Sequence, residues 1–504
     1  RVCQAMTGNG GWPTSIFMTG DGRPFYAGTY FPQDYFLMLL TSVGQAWKAD
    51  RDSLLRNSGR LLDALSRERR LPSTPSAKLL QEAVADFRDS FDPEWGGFGQ
   101  APKFPSPHNL MFLLYAAPEL AEQTLVHLYQ GGIFDHLGGG FCRYSTDRRW
   151  LVPHFEKMLY DNAMLAMAYA LAYERTGKTL YQQVVRRIFS YLLQEMHSPS
   201  GGFYAAQDAD AEGEEGKYYL FSKEELLALL GPEGGEHFCR AYDITAPGNF
   251  AGRNIPNLLS GNEPDQSAIA LLPRVYAYRQ SRMQLRTDHK ILTGWNALTG
   301  AAFDLAGRVL EDREYLRQGE RVLDLIRERL SEGDTLFSGE TAGKRLGPGF
   351  LDDYAYYIFA LLQMYQATLE TGYVTQAARL ARAVQARFAD PESGGFFFSG
   401  RENEQLVLRP KESYDNALPS GNSVMMDNLS RLAFLTNDPK LAAAAERQRD
   451  YLSGQAAAYP SAFGFNLYSL LPLKEIVCTV KDPADLASLK LESNWLLRPG
   501  DPRE

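Results

Sequence analysis

Apolar residues in this 504-residue chain fall into two unequal regimes. The first is short and β-like. Residues 14–18 read as a strand, Thr19-Gly20-Asp21-Gly22 as a turn and residues 23–31 as a second strand. Residues 34–70 then read as one or two helices ending in the charged run 67–70, a solvated helix end. The Pro- and Ser-rich stretch 71–76 reads as a linker. From residue 77 the pattern is helix after helix, and the helices pair: 77–91 with 108–117, 118–130 with 154–175, 180–197 with 291–309, 311–330 with 351–371, 373–388 with 416–435, and 439–452 with 461–471.

The connectors are asymmetric. Inside each pair the connector is mostly long and carries Gly, aromatic and charged residues, whereas between pairs it is short. Three long connectors repeat one turn signature: Asp92-Pro-Glu-Trp-Gly-Gly-Phe98, Ser198-Pro-Ser-Gly-Gly-Phe203 and Asp390-Pro-Glu-Ser-Gly-Gly-Phe396. A recurring unit signals a repeat architecture. Six helical hairpins closing in a ring, an (α/α)6 toroid, would gather the long loops at one end and place the second helix of each pair inside. An open solenoid is the alternative. The segment 204–290 interrupts the pattern, with a strand expected at 217–221 and a helix at 223–230, and reads as an insertion over the mouth of the ring. Residues 474–480 read as a strand and 483–493 as a short helix, a tail that could return to the N-terminal unit. The expected domains are therefore a unit at 1–70, a mainly α toroid at 77–473 and a strand–helix tail at 474–504.

Hydrophobic content of 44% supports a large core, and a net charge of −9 without a basic run speaks against nucleic acid. No apolar stretch approaches the ~20 residues of a membrane span. Four scattered cysteines, Cys3, Cys142, Cys239 and Cys478, form no CxxC pair. That fits a reducing compartment, so a cytoplasmic location is expected. No GxSxG, P-loop or dinucleotide fingerprint occurs, and no cofactor is expected. Asp208, Asp210, Glu212 and Gly213 fit the start of a calcium loop, but its last position would be Tyr219 rather than Glu. No metal is expected.

The densest chemistry lies at 131–162, where five glycines, two histidines and several carboxylates precede a helix expected to begin near Pro153. On such a helix His154, Met158 and Asp161 share a face. If the ring closes, five loops converge. They offer Lys103, Phe104 and His108; then His136, Arg143, Trp150, His154, Glu156 and Asp161; then Asp208, Asp210, Asp288, Lys290, Trp295 and Asn296; then Asp352, Asp353 and Tyr354; and last Asp415, Asn416 and Asn422. Asp161, Asp353 and Asp415 each open an inner helix. They suit either acid–base work or capping of free helix N–H groups.

Residues 1–32, RVCQAMTGNGGWPTSIFMTGDGRPFYAGTYFP, resemble the end of the thioredoxin-like domain of the spermatogenesis-associated thioredoxin-like family, whose bacterial members are called YyaL-type. HFEKMLYDNA, DADAEGEEGKYYLFSKEE, DHKILTGWNAL, LDDYAYY and YDNALPSGNS resemble further blocks of it. The resemblance implies a cis-proline at Pro13 and a cysteine pair upstream of Arg1, so an N-terminally truncated chain without thiol–disulfide chemistry is expected. It also implies a six-hairpin glycosidase-like or epimerase-like toroid and a carbohydrate substrate, bound and then hydrolysed or epimerised. On that reading Asp161 and Asp353 are acid–base candidates and His154 a proton carrier. Trp150 and Trp295 are stacking platforms. Arg143, Asp208, Asp210, Asp288, Lys290, Asn296, Tyr354, Asp415 and Asn422 are candidate substrate contacts. The rival is a non-catalytic scaffold that acts through a protein partner.

Overall fold

The computed structural model describes residues 2–8, 13–66, 78–404, 408–478 and 492–499. The chain folds as two units, Arg1–Pro72 with Glu404–Pro410, and Ser73–Asn403 with Lys411–Glu504. In the first, α1 (Val2–Thr7) precedes the antiparallel hairpin β1 (Ser15–Met18) and β2 (Pro24–Gly28), followed by α2 (Gln33–Ala49) and α3 (Arg51–Ser66). Half-buried aromatic rings of the hairpin meet α2, with Phe25 stacked on Trp47 at 5.9 Å. The bond before Pro13, the run 67–70, the linker 71–76 and most of the expected tail helix lie outside the described residues.

The second unit carries α4 (Leu79–Ser90), α5 (Pro107–Ala116), α6 (Pro118–Gln130), α7 (Leu159–Thr176) and α8 (Thr179–Tyr191). The insertion holds α9 (Lys223–Leu230), α10 (Pro232–Ala241) and α11 (Gln266–Arg282). Then come α12 (Thr293–Val309), α13 (Arg313–Arg329), α14 (Leu351–Thr368), α15 (Thr371–Phe388), α16 (Gly421–Thr436), α17 (Pro439–Ala456) and α18 (Gly464–Ser469). The ring closes: α5 packs on α7, α7 on α12, α12 on α14, α14 on α16, α16 on α18 and α18 back on α5. Closure excludes the open solenoid. The inner helices are apolar all round because protein surrounds them. Every residue of α7 from Leu159 to Ala172 is buried. The outer helix α13 buries one stripe, including Tyr315, Val322, Leu323 and Ile326, and leaves its charged face to water.

One module repeats around the ring. Chain segments bridge at Phe91–Phe98, Phe134–Phe141, His197–Phe203 and Ala389–Phe396. An inner-helix asparagine clamps three of these turns. Asn162 accepts from Phe141 N–H at 2.7 Å and donates to its carbonyl, Asn296 does the same for Phe203 and Asn422 for Phe396. In three turns a buried lysine binds the leading aspartate: Lys103 to Asp92, Lys157 to Asp135 and Lys411 to Asp390, at 2.7, 2.8 and 2.8 Å. The 131–141 stretch is thus a fourth copy of the turn signature. Its glycines serve backbone geometry, with Gly139 and Gly140 at φ +79° and +75°.

Three expectations are corrected. The helix expected from Pro153 begins at Leu159, because residues 153–158 are spent on two short strands. Residues 217–221 form no strand, and only Phe221 bridges, to Asn254. The insertion's α10 and α11 carry breakers that hid them, Gly234-Gly235 in one and Pro273 in the other. The tail strand Lys474–Cys478 pairs with Trp495–Pro499 and docks on the second unit. Tyr365 donates to the Leu497 carbonyl at 2.7 Å.

Asp304 stands out within α12. It is fully buried, and neither carboxyl oxygen has a partner among the described residues. Burial pushes its pKa well above the ordinary value of 3.8. The unfolded chain therefore releases this proton near pH 4 while the folded chain keeps it, so stability falls as pH rises above that point. Asp304→Asn is expected to raise stability at neutral pH by about 1–3 kcal/mol, because the amide does not ionise in the unfolded chain and so loses no stability as pH rises. The gain grows between pH 5 and 8, and thermal unfolding at both pH values checks it. A gain independent of pH would contradict the assignment.

Candidate functional site at the ring mouth

The inner helices start at one end of the ring, and the long connectors supply its polar groups. Tyr144–Ser145 pairs antiparallel with Pro153–His154. The pairing continues as Arg143 N–H donates to the Glu156 carbonyl at 2.9 Å. Alternation along this strand puts His154 and Glu156 on one side. Arg143 Nη1 then reaches Glu156 Oε2 at 3.2 Å, and His154 Nε2 lies 3.7 Å from the same oxygen. From the insertion, Glu215 contacts His154 Nδ1 at 2.6 Å through Oε1. The neighbouring carboxylates, Glu156 first, raise the His154 pKa against its partial burial. Glu156 is correspondingly lowered, chiefly by His154 and then by Arg143.

Asp161 follows in the first turn of α7. It is 6% exposed, and Oδ2 is buried without a hydrogen-bond partner among the described residues. Burial drives its pKa well above 3.8, opposed by Arg143. The carboxyl opens on a cleft of 410 Å³ lined also by Phe104, Arg143 and Asn416. Phe104 is 45% exposed and continues into an aromatic wall, with Tyr144 at 4.8 Å and His154 stacked on Tyr144 at 5.2 Å. A second cleft of 380 Å³ is lined by Glu156, Asp208, Arg286, Asp288 and Trp295. The Arg143–Glu156 ion pair joins the two clefts. Beside it Tyr160 meets Trp295 edge-on at 4.7 Å.

Among the expected site residues, Asp161 and Arg143 line the first cleft, Asp208, Asp288 and Trp295 the second, and His154 stands beside Glu156. Asp210 is exposed in the short hairpin that carries Glu215, and Lys290 is exposed and paired with Asp288 at 3.0 Å. Six candidates are corrected to structural roles. Trp150 is fully buried and donates to the Trp95 carbonyl, so it offers no stacking face. Asn296 and Asn422 are the turn clamps. Tyr354 is a core residue whose hydroxyl accepts from Leu336 N–H and Arg387. Asp353 accepts from Gly294 N–H at 2.9 Å and Phe350 N–H at 2.8 Å, so both its oxygens are spent on helix starts. Asp415 accepts from Ser420 and Phe465 N–H, both at 2.8 Å. Burial raises Asp353 to about 7 and Asp415 to about 6. Glu156 was among the loop residues but carried no role, and Tyr144 and Glu215 were not singled out. Period-two alternation through His154 and Glu156, on a strand paired with Tyr144, was the available signal for Tyr144.

The fold and site define a class: a closed six-hairpin α/α toroid with a buried carboxyl at its mouth that has no hydrogen-bond partner among the described residues. Residues 1–66 match the family model Thioredox_DsbH, described as "Protein of unknown function, DUF255". Spermatogenesis-associated protein 20 of Homo sapiens is 34% identical over 85% of this chain and 64% of its own length. Uncharacterized protein B0495.5 of Caenorhabditis elegans is 30% identical over 85% of this chain and 67% of its own. The chain belongs to the spermatogenesis-associated thioredoxin-like family, and spans somewhat under two thirds of the length of the human relative. Among solved structures, a GH76 alpha-mannanase of Bacteroides thetaiotaomicron aligns with a TM-score of 0.48 at 11% identity, over 78% of this chain and 93% of that one. No helix of the described residues is long and apolar enough to cross a membrane.

Proposed function

We propose that the ring mouth binds a sugar or sugar conjugate and acts on it by proton transfer, with Asp161 as the acid. The observation that carries this reading is the Asp161 carboxyl, buried, partnerless among the described residues and open to a cleft. A carboxyl kept protonated at neutral pH can donate to an oxygen, and an ionised carboxylate nearby supplies the complementary base. Glu156 has the opposite shift and fills that role, replacing Asp353. The exposed Phe104 face and the Tyr144 ring suit the apolar face of a pyranose, and Arg143, Asn416 and Asp208 suit its hydroxyls. Such a carboxyl pair suits hydrolysis, whereas epimerisation would lean on His154, which stands beside Glu156. The scaffold reading is disfavoured because this carboxyl, unlike that of Asp304 within α12, borders a cleft that a small ligand can enter.

A thermal-shift screen against neutral mono- and disaccharides, N-acylated sugars and uronates tests it. A ligand that binds the native state raises the melting temperature by mass action. One sugar class is expected to stabilise the wild type and to lose most of that effect with Asp161→Asn. Equal shifts in both proteins, or none from any sugar, would refute the assignment.

A further inference from the structure

A second cavity, of 870 Å³, lies away from the mouth, between the outer helices α6 and α8 and the insertion. That volume is in the range of roughly 300–1,000 Å³ that encloses a small organic ligand. Leu137, Leu180, Leu258 and Leu272 line it together with Tyr129 and Tyr242. Two polar groups on its lining carry the argument. The first is Arg187, half-buried on α8. One of its nitrogens donates to the main-chain carbonyls of Asp135 and His136, and its guanidinium lies 5.0 Å over Phe134. Among the described residues no carboxylate forms an ion pair with it; backbone carbonyls, the Tyr129 hydroxyl and an aromatic face meet its charge, and Glu263 also lines the cavity. The second is His136, 1% exposed. Its Nε2 donates to the Gly131 carbonyl at 3.3 Å, which leaves Nδ1 as a bare acceptor, buried without a partner. Burial and then the Arg187 charge hold this imidazole neutral. A buried group left unsatisfied is costly unless something bound there completes it.

We propose that this cavity is a binding site for a small organic anion with an apolar body. The acidic head meets Arg187, a hydroxyl or N–H of the ligand donates to His136 Nδ1, and the body packs on the leucines and the two tyrosines. The site is separate from the ring mouth and does not rest on the function proposed there.

The dye 8-anilinonaphthalene-1-sulfonate has this chemistry: a sulfonate, a bridging N–H and two aromatic rings. Titrated into the full chain, it is expected to bind saturably at one site with strong fluorescence enhancement. Octanoate should displace it, and octanol at the same concentration should not. Arg187→Gln should weaken binding at least tenfold. Because Arg187 also holds the turn at residues 135–136, Ile269→Glu is the second variant. Ile269 lines the cavity and is 42% exposed, so the change leaves the fold intact while placing a negative charge at the entrance. It too should weaken binding at least tenfold, and Asp161→Asn should leave binding unchanged. No saturable binding, binding that survives either cavity variant, or equal displacement by octanol would overturn the proposal.

Discussion

Asp135→Ala is expected to cost the toroid about 3–5 kcal/mol, the range seen when one partner of a buried ion pair is removed. Asp135 sits between two buried cations. Arg279 donates to its two oxygens at 2.8 Å each, and Lys157 donates at 2.8 Å. The Asp135, Lys157 and Arg279 side chains are 4%, 1% and 2% exposed, so neither cation can turn to water when the carboxylate is lost. The two cations hold the Asp135 carboxyl far below the ordinary carboxylate range despite burial. The equivalent positions set the comparison. At Asp92 one partner, Arg148, is 42% exposed and can rehydrate, and at Asp390 the one buried cation that binds the carboxylate among the described residues is Lys411. Denaturant unfolding of the three alanine variants should therefore rank Asp135 as the most damaging. A loss at Asp135 no larger than that at Asp390 would sink the argument. Arg279 belongs to the insertion helix α11, so the same variant should also loosen the insertion from the ring, seen as faster proteolysis between residues 204 and 290.

The ring was legible because its two signals are strong: twelve amphipathic or apolar helical runs, and long connectors alternating with short ones. The insertion was less so. α10 begins with Pro232 and two glycines and α11 contains Pro273, residues that read as loop and owe their helical state to packing around Phe238, Tyr242 and Val275. At the site, position in a loop said which residues gather but not what each one holds. Asp161 and Asp353 occupy the first turns of the inner helices α7 and α14, and Asp415, expected to open the next inner helix, stands in the loop ahead of α16, which begins at Gly421. Two of them spend their oxygens on backbone N–H groups, and only Asp161 keeps an oxygen free of any donor among the described residues. That difference depends on where neighbouring helix starts fall in space, which no local pattern encodes. The asparagines show the converse. Asn296 and Asn422 looked like ligand contacts because they stand in loops rich in chemistry, yet a buried asparagine with a donor and an acceptor suits a backbone clamp. The clamps Asn162, Asn296 and Asn422 follow the phenylalanines they hold by 21, 93 and 26 residues, so no fixed spacing marked the role.

Asn296→Ala should be the most damaging of the three clamp substitutions, at about 2–4 kcal/mol for main-chain groups left unpaired in the core. Asn296 accepts from Phe203 N–H at 2.7 Å and donates to the carbonyls of Phe203 at 3.0 Å and Leu292 at 2.9 Å. Asn162 and Asn422 make equivalent bonds, but their turns are also pinned by Asp135–Lys157 and Asp390–Lys411. In the third turn Ser198 stands where the others have aspartate, and its hydroxyl lies 2.9 Å from the Ser200 hydroxyl and accepts from Ser200 N–H at 3.2 Å, with no ion pair among the described residues. Loss of the asparagine there has no ion pair to fall back on. The consequence reaches the mouth. Phe203 leads into Ala206–Gln207, the middle strand between Lys157–Met158 and Thr287–Asp288, and this small sheet walls the cleft that contains Trp295. Asn296→Ala should accordingly lose both stability and the ligand-induced thermal shift, although Asn296 itself is fully buried and touches no ligand. Asn422→Ala, which clamps a turn outside that wall, should lose stability and keep the shift. Equal losses of the shift in both variants would mean that the mouth is held by the ring as a whole rather than by this sheet.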